Sequence, residues 1–366
     1  MKKILFLIHD LGQGGAEKVL VNLVNNLDRS KFHISVIALF GGGVNEQFLA
    51  PDIHYRAVFP RSIPGNSKLM KLLSPRQLHR LCVKEHYDIE VSYLEGPSAR
   101  IISGCPSQDT KLVSWIHCTM HSQKEISQSF RSFSEAKACY SKMDAMAYVS
   151  RSVQDAFLQY CPIDGVHTVI PNTNETNRIL AKATQPVTLP EGLRWCGIGK
   201  LTPIKGFDRM IRIQAKLKNA GIPTQLCLLG DGPQKEALVQ LAVSLGVETS
   251  VVFLGYQTNP YAYLSQCDLF VCASHSEGFS TAATEALILG VPVCSVEVSG
   301  MKEMLGENNE WGIVTENSEE ALYQGIKQLL DNPELLAHYK EKAAQRGKCF
   351  STENTVKAAE EMLLSL

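Results

Sequence analysis

Two glutamates eight positions apart, Glu277 and Glu285, bracket the run "EGFSTAATE". Between them Gly278, Phe279, Ser280 and Thr281 lead into a stretch of good helix formers, and Ser280 or Thr281 suits the N-cap. Glu277 therefore belongs to a loop facing whatever the helix amino terminus binds, and Glu285 lies about one turn inside the helix. Upstream, "GKLTPIKGFDRMI" follows a strand-like run and precedes a second helix, with Lys200 and Lys205 flanking a turn that holds Pro203 and Gly206. Two ammonium groups converging at the carboxyl end of a strand suit a diphosphate, whose charge must be neutralised as it departs. Each pair also has an ordinary reading: two solvated lysines, and a helix-entry glutamate beside a solvated one.

A third feature, "HDLGQGGAEKVLVNLV", places Gly12, Gly14 and Gly15 between the apolar run "KKILFLI" and a helix with Ala16, Val19, Leu20, Leu23, Val24 and Leu27 on one face. Such a strand-to-helix turn presents backbone N–H groups to an anion, or is simply a tight connection. The dinucleotide fingerprint fails in two places. Glu17 stands where a third small residue should pack helix on strand, and the second strand, "HISVIALF", ends at Phe40 followed by glycines, without a ribose-binding carboxylate.

Other polar residues fall at strand ends. His117 closes "SWIHC", and Glu95 and Gly96 follow "SYL" at another strand end. His117 and His121 are four apart, but no third ligand is evident nearby, so no metal site is expected. Between Arg61 and Lys84 the chain carries six basic residues and no acidic one, interleaved with Leu69, Leu72, Leu73, Leu78 and Leu81. This is either a patch for anionic lipid headgroups or a lipid-linked pyrophosphate, or a solvated helix face over an apolar stripe.

The elements that must position these residues alternate in two sets. "ILFLI", "HISVIALF", "IEVSYL", "KLVSWIH", "AMAYVS" and "HTVIP" form the first, and "RWCGIG", "TQLCLLG", "SVVFLG", "DLFVCAS" and "VPVCSV" the second. The stretch from Asn172 to Pro190 is polar, shows no clear strand and reads as a linker. Strands alternating with helices predict two doubly wound parallel-sheet domains, whose ligands lie beyond the carboxyl ends of the strands, in the cleft between facing domains. The expected division is 1–178, 179–348, and a carboxy-terminal helix over 349–366 that packs back on the first domain. At 366 residues and 45% apolar composition the chain can fill two cores, and a formal net charge of −1 argues against a nucleic-acid partner. Eleven cysteines, an odd number without a C-x-x-C pair and several inside strands, read as small buried hydrophobes in a reducing compartment. The amino terminus lacks signal-peptide architecture and no apolar run is long enough to span a bilayer, so a cytoplasmic protein is expected, able to sit on the inner face of the membrane.

The segment from Glu277 to Glu285 resembles the E-x7-E signature of retaining glycosyltransferases of the GT-B fold, in the large bacterial family four, group 1. "GKLTPIKG" resembles the family's phosphate loop, "LLGDGP" and "VVFLGY" its base-flanking segments, and "GGAEK" its amino-terminal glycine loop, all in the family's order over nearly the full chain. The resemblance implies two Rossmann-like domains, the first for the acceptor and the second for a nucleotide-sugar donor. It implies that Glu277 contacts hydroxyls of the donor sugar and Glu285 the ribose. The N–H groups from Gly278 through Phe279 and Ser280 to Thr281 would hold the sugar and the distal phosphate. Lys200 and Lys205 would bind the diphosphate and stabilise the leaving group. Asp231 and Gly232, with Gly255, Tyr256 and Gln257, would flank the base. Gly14 and Gly15 would line the donor side, His117 would face the donor sugar, and Glu95 and Gly96 would lie on the acceptor side.

Two departures from the family pattern stand out. Lys200 replaces the usual arginine, keeping the charge but losing the bidentate fork, and Ser280 replaces a common proline, adding a cap and a donor. Double displacement needs a carboxylate about 5 Å across the anomeric centre from its partner, and the resemblance places Glu277 on the hydroxyl side instead. A front-side transfer is therefore expected, in which the leaving phosphate takes the acceptor's proton and two lysines with a helix dipole replace a divalent metal. The partners implied are a UDP-sugar and a glycan or lipid-linked glycan, in bacterial surface polysaccharide synthesis. The rival functions are a sugar-nucleotide epimerase of the same fold, a binder that has lost activity, and an NAD-dependent oxidoreductase.

Overall fold

The apolar run Lys2–Ile8 forms β1, buried from Ile4 to Ile8 because parallel neighbours and covering helices exclude water from both faces. The computed structural model describes residues 1–12, 14–61 and 70–366 and divides into two units, Met1–Asn174 with Thr352–Leu366, and Glu175–Ser351. Among the described residues of the first unit, β1, β2 (Phe32–Phe40), β3 (His54–Phe59), β4 (Ile89–Tyr93), β5 (Lys111–Ile116), β6 (Ala145–Tyr148) and β7 (Val166–Val169) form one parallel sheet in the order β3-β2-β1-β4-β5-β6-β7. In the second, β8 (Leu193–Ile198), β9 (Thr224–Leu229), β10 (Val251–Gly255), β11 (Leu269–Cys272), β12 (Val293–Val296) and β13 (Ile313–Thr315) are ordered β10-β9-β8-β11-β12-β13.

Both sheets thus grow outward from their first strand in one direction and then reverse. The reversal falls between β1 and β4 in one unit and between β8 and β11 in the other. At such a point the connections leave in opposite directions and open a crevice beyond the strand ends.

The sequence reading anticipates six and five strands, and the two further ones are edges. β3 is half-exposed throughout and lacks a β-branched or alternating pattern, while β13 has three residues. Within the expected linker the structure has a helix, Thr176–Ala183, whose Ile179 is buried. It packs on the helices Pro260–Leu264 and Thr281–Ile288, so the unit boundary falls before it, at 174/175 rather than at 178/179. The other boundary falls at 351/352 rather than 348/349.

The last helix, Thr352–Ser365, belongs to the first unit. Its Glu360 accepts hydrogen bonds from the Asp28 backbone N–H and from Lys31 Nζ, each at 2.7 Å, and Thr352 Oγ1 donates to the Asn174 carbonyl at 2.6 Å. In the core of the second unit the Trp195 indole donates to Gln214, whose amide in turn serves both Thr224 groups, so the buried polar atoms of that trio are paired. All eleven cysteines are free, with Cys118 and Cys349 exposed. Among the described residues no helix is long and apolar enough to cross a membrane.

Candidate active site

In the second unit the reversal point is built from the loops after β8 and β11. The β8 loop runs through Lys200 to a short 3-10 turn, Pro203–Lys205, and enters helix Phe207–Asn219 at Gly206. Gly206 has φ +66°, and a Cβ there would collide with the Ala273 carbonyl at the end of β11, so only glycine lets the two loops approach. The approach is fixed by the His275 N–H donating to the Ile204 carbonyl at 2.7 Å and by Arg209 on the His275 ring at 2.8 Å.

This zipper delivers Lys205 to Glu277, with Nζ 2.6 Å from Oε1. The same oxygen accepts from Ser274 Oγ at 2.7 Å and faces the Cys272 thiol at 4.0 Å. Burial, reinforced by the Glu277 charge, holds the Cys272 thiol above its ordinary pKa and therefore protonated. Glu277 is 11% exposed and Lys205 30%, so their attraction is only partly screened.

Helix Thr281–Ile288 starts at Ser280, whose hydroxyl accepts from the Ala283 N–H at 3.3 Å. Of the two expected caps, Ser280 is the one used. Glu285 is buried at 4% exposure and accepts from the Tyr261 hydroxyl at 3.3 Å. Phe279 turns its ring into the core, against Phe350 at 6.0 Å, so only its backbone can serve a ligand. Lys200 is exposed.

The β9 loop is pinned to the lysine loop. Gly230, at φ +137°, lies so close to the Gly199 carbonyl that a Cβ would overlap it, and Leu201 N–H donates to the Asp231 carbonyl at 3.0 Å. The Asp231 side chain accepts from the Gly232 N–H at 2.8 Å. After β10, Gly255 has φ +67°, Tyr256 is 58% exposed, and Gln257 donates to the Leu254 carbonyl at 2.5 Å. The structure thus joins Lys205 to Glu277 in the loop that leads into the helix, and ties Asp231 and Gly232 to the lysine loop.

In the first unit the reversal point has a different character. Gly14 is the N-cap of helix Gly15–Asn26, and a Cβ on it would collide with the Glu17 carboxylate. The anion nearest this turn is therefore the chain's own. Burial raises the Glu17 pKa, its own backbone N–H opposes the shift, and Asp10 and Glu95 add to it.

Across the reversal, Glu95 Oε2 accepts the His117 backbone N–H at 2.9 Å, and Gly96 N–H donates to the Tyr140 hydroxyl at 3.1 Å. The His117 ring lies 4.6 Å from that of Tyr93. Its Nε2 is buried and has no hydrogen-bond partner among the described residues. Burial lowers its pKa to about 3, leaving a neutral imidazole. A buried ring nitrogen without a partner is costly and marks a place where a ligand group can bond. His121 is exposed and does not join His117 on a helix.

Residues 194–346 match the family described as "Glycosyl transferases group 1", and residues 13–178 that described as "Glycosyltransferase Family 4". A Campylobacter jejuni protein is 28% identical over the full length of both chains; it is named N-acetylgalactosamine-N,N'-diacetylbacillosaminyl-diphospho-undecaprenol 4-alpha-N-acetylgalactosaminyltransferase. The fold matches that of Anabaena HepE, solved in complex with UDP and glucose, at a TM-score of 0.78 and 22% identity over all of both chains. It also matches the lipopolysaccharide outer core galactosyltransferase WaaB at 0.73 and 17% over 99% of each.

The chain is a family 4, group 1 glycosyltransferase.

Its fold is GT-B. Several groups in the candidate site have no signature in the sequence. Cys272 and Ser274, two apart at the end of β11, carry the only available hint, an alternation that puts both on the Glu277 side. Tyr261, Arg209 and His275 reach the site through tertiary packing alone. Of the stretch from Arg61 to Lys84, residues 62–69, Leu69 included, lie outside the described residues. In the rest, Leu78 is buried, whereas Leu72, Leu73 and Leu81 are exposed beside Arg76, Arg80 and Lys84, so the leucines do not make one covered stripe.

Proposed function

We propose that this glycosyltransferase moves a sugar from a uridine diphosphate donor to a lipid-linked glycan with retention of configuration, by front-side transfer that needs no divalent metal. The observation that carries the reading is the Lys205–Glu277 pair, held at the amino terminus of helix Thr281–Ile288 with Glu285 buried behind it. The pair keeps a cation and a carboxylate in register, and a nucleotide-sugar can exchange both partners at once. Its phosphate replaces the carboxylate on Lys205, and its sugar hydroxyls replace the ammonium on Glu277. Ser274 continues to orient the carboxylate.

As the glycosidic C–O bond breaks, charge grows on the diphosphate. Lys205, Lys200 and the N–H groups from Gly278 to Thr281 meet it there without reorganising. The acceptor oxygen bonds to the anomeric carbon on the same face, and its proton passes to the departing phosphate oxygen. Glu285 holds the ribose, and Asp231, Gly232, Gly255, Tyr256 and Gln257 surround the base. In the first unit, His117 offers Nε2 to a sugar hydroxyl, Gly14 and Gly15 line the donor side, and Glu95 and Gly96 border the acceptor. The exposed leucines among basic residues near 72–84 suit an acceptor presented at an anionic membrane. The donor base and the lipid-linked acceptor are drawn from what the Anabaena and Campylobacter relatives bind or act on by name. The sugar itself is left open between a hexose and an N-acetylhexosamine.

A thermal-shift panel of UDP, GDP, ADP, CDP and NAD tests this on the wild type and on Glu285→Ala. Ligand at about a hundred times its Kd adds roughly 2.7 kcal/mol to the folded state. A rise with UDP that is lost in Glu285→Ala is expected. A rise with another nucleoside diphosphate would change the donor, and a rise with NAD alone would overturn the reading.

A further inference from the structure

Away from the strand ends that carry the reaction, three ligand-type side chains from three elements meet in the first unit. His79 comes from helix Pro75–Cys82, Glu90 from the second position of β4, and Cys105 from the connection between helix Pro97–Ile102 and β5. His79 and Glu90 are buried and Cys105 is half-buried. His79 Nε2 lies 2.8 Å from Glu90 Oε2, and Cys105 Sγ lies 3.7 Å from Glu90 Oε1. One ligand atom from each residue falls within 4.8 Å of the others. Glu90 opens β4 and Glu95 follows its end, so the cluster sits about 15 Å along the strand from the Glu95–His117 contact.

A buried carboxylate–imidazolium pair is expensive to desolvate, and an apolar pair of equal volume would stabilise the fold as well. The thiol beside it changes the chemistry. One sulfur, one imidazole nitrogen and one carboxylate oxygen form a borderline-soft donor set from three directions, which suits zinc better than magnesium or calcium.

We propose that His79, Glu90 and Cys105 bind a zinc ion, with water as the fourth ligand. Bonds of roughly 2.0–2.3 Å in a tetrahedron put ligand atoms roughly 3.3–3.8 Å apart. The short His79–Glu90 contact then opens and the widest separation closes by about 1 Å, a change that side-chain rotation can supply. The hydrogen bond between His79 and Glu90 spans the place where the ion would sit.

Zinc binding therefore exchanges protons. The ion takes a neutral imidazole nitrogen, a thiolate and a carboxylate as ligands, and the protons these groups held go to solvent. The ion ties helix Pro75–Cys82 to the start of β4 and the entry to β5. Its role is to brace the fold, separate from the transfer chemistry.

The test uses the full chain, dialysed against chelator and titrated with Co2+ and then Zn2+. One equivalent of Co2+ should bind with a thiolate-to-cobalt charge-transfer band, and Zn2+ should displace it. Calorimetry in buffers of different ionisation enthalpy should report net proton release at neutral pH. Cys105→Ser should abolish the band and cut affinity at least about tenfold, while Cys118→Ser and Cys349→Ser keep both. If His79→Gln fails to fold, Cys105→Ser, which removes only one long sulfur contact, still decides the matter once circular dichroism shows native structure. The absence of a stoichiometric band, or a band that survives Cys105→Ser, would overturn the site. Neither readout depends on sugar transfer, so the site and the proposed reaction can fail independently.

Discussion

The two units repeat one device, a strand running into a glycine-bearing turn and then a helix at the point where the sheet reverses, yet they load it with opposite charge. After β1 the helix amino terminus meets its own Glu17, with Asp10 and Glu95 close enough to raise that carboxylate's pKa further. After β8 the turn presents Lys200 and Lys205, and the facing strand supplies Glu277 as a partner for one of them. Backbone dipoles and topology are alike in both places and would welcome an anion in either. Side-chain charge is what differs: among the described residues the second turn presents two lysines where the first faces its own carboxylate. Fold identifies where a ligand can bind, and the residues at the strand ends identify what it is.

The sharpest way to break this contrast is to remove the cationic side. Lys205→Ala should lower kcat about 100- to 1,000-fold, the range seen when one preorganised donor to a developing charge is lost. Glu277→Gln keeps the shape and the Ser274 hydrogen bond but cannot pair with the lysine. It should fall by a similar factor, while both variants unfold within a few degrees of the wild type. Near-normal turnover in either would show that the charged turn is not the reaction centre. Omitting Mg2+ and Mn2+ from the same assay should leave wild-type turnover unchanged, and a strict requirement for either ion would refute charge neutralisation by lysines alone.

A smaller effect is expected from the histidines. His117, lowered to about 3, stays neutral over the working range, whereas His79, raised to about 9, stays charged over most of it. Their contributions to stability run in opposite senses. That of His79 is complete below the unfolded value near 6.5 and is lost as pH rises through about 9, while that of His117 is present above about 6.5 and is lost as pH falls towards 3. Imidazole nitrogen shifts measured by NMR on the metal-free protein should show one ring neutral and the other protonated at pH 7. Urea unfolding should place their combined optimum near pH 6.5. A His117 ring that titrates near 6.5 would mean that water reaches it, and its unpartnered Nε2 would lose its significance.

Much of this is legible in the amino-acid sequence. The alternating apolar runs mark eleven of the thirteen strands among the described residues because parallel strands buried on both faces are mostly apolar, and β3 and β13 escape because edges need not be. Helix Thr176–Ala183 escapes for a related reason: it buries chiefly Ile179, so its sequence reads as polar linker. In the site, Lys205, Glu277 and Glu285 stand out by type and spacing. The groups that orient them do not, since Ser274, Cys272 and Tyr261 acquire meaning only when β11 and helix Pro260–Leu264 are packed beside the glutamates. The cluster of His79, Glu90 and Cys105 is invisible for the same cause, its members being eleven and fifteen positions apart on three elements.

The smallest predicted effect bears on the anionic turn. The Glu17 carboxylate is held partly away from water beside Asp10 and Glu95, so its charged form is less favourable in the folded chain than in the unfolded one. A carboxyl whose folded pKa is raised weakens the fold above that pKa, and the penalty fades as pH falls and the folded state takes up the proton first. Glu17→Gln, of the same shape and without charge, should therefore stabilise the protein at pH 7 by less than about 1 kcal/mol, read as a rise in Tm of a few degrees at most. The gain should vanish below about pH 4.5, where both states of the wild type are protonated. Loss of stability at pH 7 would mean that the helix dipole favours the carboxylate more than its burial and its acidic neighbours oppose it. In that case the first turn, like the second, would be an anion site in its own right, already filled by its own side chain.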